Sequence, residues 1–287
     1  MRFVSSVPLS LLLLLQGGAL VGAAVERQKI QVVYAGFGRT GTHSLGHALE
    51  KLGYNPIHGE TICRQTAFDG PQTVIADAVI RGDYDALLDE TEKLGFNATL
   101  DIHGMFWREI MERRPDAKFI FMTRDKHKLR HSLRELDWYF GPIYRYPMRF
   151  FPGVEKLNSF LLTMGAFMQG LPMKDCFKGT QADLEARLEA AYDRFNEELP
   201  KVLETHPHNT ILFDMKEGYP ALCKFLEVDE ADCPKEPFPH LGSKWEFRYR
   251  GVKFRMIEAS VAFWPLYFLY WVWKKLFGPS TMKKKVA

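Results

Sequence analysis

Between residues 29 and 52 the chain runs from "KIQVVYAG" through "FGRTGT" into "HSLGHALEKL". The first segment is β-branched and uncharged after its opening lysine, and it reads as a buried strand. The last repeats apolar residues at Leu45, Ala48, Leu49 and Leu52, the spacing of one helical face. A buried strand that enters a helix through a glycine-rich turn belongs to an α/β sheet. In such a sheet, ligands lie beyond the carboxyl ends of the strands. The turn's N–H groups and the helix dipole together form an anion site.

The pattern continues. "YNPIHG" predicts a short second strand ending near His58, and "DYDALLDETEKLG" a helix closed by Gly95. "ATLDI" predicts a third strand and "MFWREIMERRPDA" a helix and turn. "KFIFMTRD" predicts a fourth strand ending at Arg124, then a helix from about Asp125 to Tyr139. Residues 181–205 predict a long helix, and "NTILFDM" a fifth strand. Strands alternating with helices specify a three-layer α/β fold with a parallel sheet covered on both faces. Residues 141–178, rich in Tyr, Phe, Met and Pro, read as an irregular insertion that either walls a substrate pocket or simply packs.

The turn admits two familiar readings. Gly36-x-Gly38-x-x-Gly41 spells a dinucleotide-binding fingerprint, and Gly36-x4-Gly41-Thr42 is nearly a nucleotide-hydrolase P-loop. A dinucleotide enzyme needs an acidic residue at the end of the second strand for the ribose, where this chain has His58 and, two residues on, Glu60. A hydrolase needs Lys and then Ser/Thr after the last glycine, where this chain has Thr42 and His43. A third reading fits better. Arg39 places a fixed cation inside the loop, flanked by the hydroxyls of Thr40 and Thr42. Arg124 ends the fourth strand, and Ser132 follows two helical turns into the next helix. A guanidinium and a hydroxyl clamp one dianionic phosphate. Two anion sites on adjacent strand ends suit a nucleotide carrying phosphates at both its 5′ and 3′ positions.

With "AGFGRTGTHSL" and "RPDAKFIFMTRD…S", supported by "YDRFNEELPKVL" and "DMKEGYPALCKFLEV…PFPH", the chain resembles P-loop-fold sulfotransferases of the branch with a G-F-G-R-T-G-T loop. The resemblance covers about residues 29–250. It implies 3′-phosphoadenosine 5′-phosphosulfate as co-substrate, no metal, and in-line transfer of a sulfuryl group to a hydroxyl or amine. It matches Gly38, Arg39, Thr40, Gly41, Thr42 and His43 to the 5′-phosphosulfate loop, and Arg124 and Ser132 to the 3′-phosphate pair. Arg39 takes the place of a lysine found in many relatives. The glycine-rich basic segment that closes over the 3′-phosphate in many relatives is not obvious, and Lys244, Arg248 or Arg250 is the candidate substitute. A general base must accept the acceptor's proton. His58 is the first candidate, Asp101 the second, with His103 and Glu60 behind them. The competing readings are a nicotinamide-dependent oxidoreductase and an inactive nucleotide-fold scaffold.

A net charge of +3 over 287 residues gives no argument for nucleic acid. Cys63, Cys176, Cys223 and Cys233 lack metal-site spacing. Cys223 and Cys233 are able to pair in an oxidising compartment, but plain thiols are the preferred expectation. Residues 1–24 resemble a secretory signal peptide, with an uncleaved anchor as the alternative. The charge-free run from Ala259 to Trp273 falls short of the roughly 20 residues a span needs. Extension to Phe277 reaches that length, with Lys274 and Lys275 at the interface. The expected organisation is therefore a catalytic domain over 25–255, a membrane-spanning helix over 256–277 and a basic tail over 278–287. The lysine bias places that tail in the cytoplasm and the catalytic domain in the lumen of the endoplasmic reticulum or Golgi. The acceptor is then a small molecule, glycan or lipid. The sequon at Asn97 abuts a strand, which argues against its occupancy.

Overall fold

The computed structural model describes residues 29–140 and 152–241 apart from 173, 176 and 177, with scattered positions between 249 and 273. Five parallel strands, β1 Val32–Ala35, β2 Pro56–Ile57, β3 Ala98–Thr99, β4 Lys118–Phe121 and β5 Thr210–Leu212, lie in the order β2-β3-β1-β4-β5. β1 is central, and all four of its residues are buried. Its alternation explains the uncharged run: Val33 and Ala35 enter one core, Val32 and Tyr34 the other. The chain departs from β1 towards β3 on one side and β4 on the other, so the switch point that hosts ligands lies at the end of β1.

Helix α1 (Thr42–Lys51) buries Leu45, Ala48 and Leu49 on the Val32/Tyr34 face. Six further helices precede the long C-terminal pair: α2 Gly59–Ala67, α3 Thr73–Arg81, α4 Tyr84–Lys93, α5 Ile102–Met105, α6 Trp107–Arg113 and α7 Lys126–Phe140. Then come α8 Pro152–Gln169, α9 Gln181–Thr205 and, after β5, α10 Gly218–Leu226. α9 begins where predicted because Thr180 and Asp183 form a capping box. α10 joins α1 on the second face through Tyr219, Leu222 and Leu226.

The structure corrects several expectations. β4 ends at Phe121, three residues before Arg124, which stands in the loop leading to α7. Helices α2 and α3 occupy a stretch for which no element was predicted. The supposedly irregular 141–178 segment contains α8, whose Val154, Leu157, Phe160 and Met164 are core residues. Its apolar composition is explained by packing against α2, α3 and α9. Residues 141–151 lie outside the described part. Cys223 and Cys233 are joined in a disulfide, against the preference for thiols, while Cys63 is a buried free thiol. Asn97 is buried, and its Oδ1 accepts from the Asn55 N–H at 2.6 Å, which fits the doubt about the sequon.

Among the described residues no helix is long and apolar enough to cross a membrane, so the expected C-terminal span has no structural support. Most of 256–277, all of 1–24 and 278–287, and Lys244, Arg248 and Arg250 lie outside the described residues.

Candidate functional site

The loop from Gly36 to Thr42 is braced from beneath. The Gly36 N–H donates to the Gly104 carbonyl at 2.9 Å. The Tyr34 hydroxyl donates to the Phe37 carbonyl and shares a 2.6 Å bond with Thr40 Oγ1. Burial pushes the Tyr34 hydroxyl's pKa far up, so it stays a donor. Phe37 packs edge-on against Tyr192 and lies beside Phe195. Thr40 is thus a brace whose hydroxyl faces the loop's own support, leaving the backbone as its route to a ligand.

Arg39, Arg124 and Ser132 lie side by side, and Ser132, expected to pair with Arg124, is bonded to Arg39. Arg39 Nε donates to Ser132 Oγ at 3.0 Å, and Arg124 Nη1 donates to the Arg39 carbonyl at 2.5 Å. The pairing of β1 with β4 brings the two loops side by side. Arg124 is itself held by Tyr192, whose hydroxyl accepts from the Arg124 N–H and donates to the Arg124 carbonyl, both at 2.8 Å. Tyr192 escaped the motif reading, although "YDRFNEELPKVL" carries it. Burial lowers the pKa of the Arg39 guanidinium; Asp101 opposes that and the Arg124 charge adds to it. A dianion placed here relieves both the desolvation and the repulsion.

His58, Asp101 and His43 gather on the other side of the loop. His58 is the N-cap of α2: its Nδ1 accepts from the Glu60 N–H at 3.1 Å. A nitrogen accepting from a backbone N–H carries no proton, so the neutral ring holds its proton on Nε2. That atom lies 3.1 Å from Thr42 Oγ1 and 3.9 Å from Asp101 Oδ2. The His43 ring stacks on His58 with centroids 4.0 Å apart, and His43 Nε2 is 3.5 Å from Glu60 Oε2. Burial, followed by the neighbouring His58, lowers the pKa of His43.

Asp101 occupies a slot that only glycines leave open. A Cβ on Gly38 would meet its Oδ1 at 2.5 Å, and one on Gly59 its Oδ2 at 2.7 Å. Its backbone has φ 62°, and that of Arg39 has φ 71°. Left-handed backbone at non-glycine residues is costly, and it concentrates at functional sites.

The remaining candidates separate cleanly. His103 is fully buried on Thr91, and burial pushes its pKa down to about 3, so it is neutral and out of reach of a substrate. Arg130 pairs with Glu189 and sits beside His127 on a solvated face. Asp214 caps a 3₁₀ turn at Met215–Glu217. His43, His58 and Glu60 each offer a metal-ligand atom within 4.8 Å of the others. Both ring nitrogens of His58 are already engaged, so ligation there would require breaking either the α2 cap or the Thr42 contact.

Two cavities flank the loop. One, of about 360 Å³, lies between α1 and α2 and is lined by His43, His47, Glu50, His58, Glu60 and Arg64 among others. The second, of about 200 Å³, is lined by Gly36, Phe37, Trp107, Phe167 and Phe195, with Arg108 and Arg194 also in its wall.

The chain is similar to "Ava biosynthesis cluster protein M" of Aspergillus versicolor, at 24% identity over 229 residues, which covers 74% of this chain and 80% of that protein. Residues 31–247 match the family described as "Sulfotransferase domain", and the chain belongs to that family.

Proposed function

We propose that this protein is a sulfotransferase that moves a sulfuryl group from 3′-phosphoadenosine 5′-phosphosulfate to an acceptor hydroxyl or amine. The observation that carries this is the meeting of Arg39, Arg124 and Ser132 at the ends of β1 and β4. Two segments far apart in the chain, the loop after β1 and the stretch from the end of β4 into α7, bring two cations and a hydroxyl together, which supports a ligand carrying both a 5′ and a 3′ phosphate. The donor supplies an activated sulfuryl group; the residues supply the environment. Arg39 stabilises charge on the bridging oxygen as its bond to sulfur breaks. Arg124 and Ser132 hold the 3′-phosphate. The loop's N–H groups and the start of α1 hold the 5′-phosphate.

His58 is the positioning and donating member of the acceptor side, because its proton lies on Nε2, beside Thr42 Oγ1, and its Nδ1 is committed to α2. Asp101 is the base: its carboxylate is lodged against the loop at Gly38, with Oδ2 3.9 Å from His58 Nε2. This reverses the order in which the sequence ranked the two. The dinucleotide reading is the weaker one. Glu60 lies in the first turn of α2, facing His43, rather than at the end of β2. The Cys223–Cys233 disulfide supports placing the domain in an oxidising compartment, in keeping with the lumenal location we propose.

Thermal melting of the full chain tests the reading. Ligands that bind only the folded state raise the midpoint. We expect 3′,5′-bisphosphoadenosine to raise it and NADH or ATP with magnesium to leave it in place. A shift with NADH and none with the bisphosphate would return the loop to dinucleotide chemistry.

A further inference from the structure

We infer that the acceptor is a neutral carbohydrate hydroxyl, received in the cleft between α1 and α2. This rests on the sulfuryl-transfer reading and deepens it. The argument begins with access. A nucleophile delivered to Asp101 and His58 must lie in a space that His58 lines. The 360 Å³ cleft meets that condition: His43 and His58 are in its wall, and His58 Nε2 reaches to 3.9 Å from Asp101 Oδ2. The 200 Å³ cavity meets the loop at Gly36 and Phe37, and the Phe37 ring is turned towards Tyr192 and Phe195. The aromatic-rich cavity, whose composition suggests an apolar acceptor, is on the wrong side of the loop.

The cleft's chemistry then selects the occupant. Its wall carries the carboxylates of Glu50 and Glu60, the guanidinium of Arg64, the hydroxyl of Thr61 and the imidazoles of His43 and His47. His47 Nδ1 is 3.3 Å from Glu50 Oε2, so these groups stand close together along α1. A phenol or an aliphatic alcohol covering this wall would strip water from charged groups and return a single hydroxyl. An anionic acceptor would meet two carboxylates against one guanidinium. A sugar ring answers both kinds of group, since each hydroxyl donates to a carboxylate while its oxygen accepts from Arg64 or an imidazole. Pro56 and Leu100 offer an apolar patch for the C–H face of the ring. The volume lies near the lower end of the roughly 300–1,000 Å³ of small-molecule sites, so the cleft takes one or two rings. In the transfer, the sugar oxygen bonds to sulfur and its proton passes to Asp101. The bond between sulfur and the bridging oxygen breaks, and its electron pair leaves with 3′,5′-bisphosphoadenosine.

The test presents the full chain with the phosphosulfate donor and, separately, methyl β-glucoside, cyclohexanol, phenol and phenethylamine, following the release of 3′,5′-bisphosphoadenosine. We expect turnover with the glucoside at least tenfold above the other three. We also expect Arg64→Ala to raise the glucoside KM at least fivefold while the bisphosphate melting shift stays as in the parent. Preference for phenol, cyclohexanol or the amine overturns the carbohydrate assignment, as does an unchanged KM in Arg64→Ala. Turnover with none of the four, while the bisphosphate still shifts the melt, overturns the acceptor class alone. Loss of that shift in the parent protein overturns the sulfuryl-transfer reading beneath it.

Discussion

The two sides of the phosphate loop are built in different ways. The donor side is made by the sheet: adjacent strands β1 and β4 end together, and each delivers an arginine through the loop that follows it. The acceptor side is made by helices. His58 caps α2, His43 stands in the first turn of α1, and Asp101 wedges between Gly38 and Gly59. The first arrangement is set by strand pairing and held by Tyr192. The second depends on three chain segments, with Asp101 packed close against Gly38 and Gly59, and on the Cys223–Cys233 bond. That bond restrains the stretch leading to Leu241, whose N–H donates to Ser44 Oγ at 3.0 Å and which lines the acceptor cleft. On the reading proposed above, binding of the donor and choice of acceptor should therefore be separable by mutation.

The sharpest break in that comparison comes at Asp101. We expect Asp101→Asn to lower the transfer rate by about 10²–10⁴, the usual contribution of a general base, with bisphosphate affinity retained. His58→Ala should lose less, through positioning. If single-turnover rates show the reverse order, the tautomer argument fails and His58 is the base. The next effect falls on the acceptor side. Replacing both Cys223 and Cys233 by serine should remove about 2–4 kcal/mol of stability, measured by denaturant unfolding. It should also raise the acceptor KM without changing nucleotide affinity, and an unchanged KM would show that the restrained segment does not shape the cleft. The smallest of the three tests the donor side. Arg124→Ala should weaken 3′,5′-bisphosphoadenosine about 10- to 100-fold, the worth of one charge-assisted contact, and 5′-AMP hardly at all. Equal losses, read by calorimetry, would move Arg124 away from the 3′-phosphate.

The donor side was legible because it is local. The buried run Val32–Ala35, the glycines, the helical period from Leu45 and the Arg124/Ser132 spacing each declare themselves within a few residues. The acceptor side was not, because its geometry is tertiary. His58 read as the end of a strand, since nothing in "IHGETI" shows that its ring turns back to accept the Glu60 N–H and open a helix. Asp101 and His103 stand two residues apart in one short segment, yet one reaches the loop and the other is sealed against Thr91. α8 escaped notice because its buried residues do not fall on a single stripe; it packs against helices on several sides and loses the contrast that marks an amphipathic segment. The disulfide escaped because the folded path between Cys223 and Cys233, not their spacing, brings them together.

The lodging of Asp101 has a consequence for telling working copies of this chain from idle ones. Gly38, Gly59 and Asp101 form a lock spread over three segments. A methyl group added at Gly59 would stand 2.7 Å from the Asp101 carboxylate and force it to shift, while leaving Arg39, Arg124 and the loop motif untouched. On the reading proposed above, a diverged copy that keeps the loop but has lost Gly59 would hold nucleotide with its base displaced. Gly59 and Asp101 are therefore the positions to read beside the glycine-rich signature when such chains are sorted into catalysts and nucleotide-binding remnants.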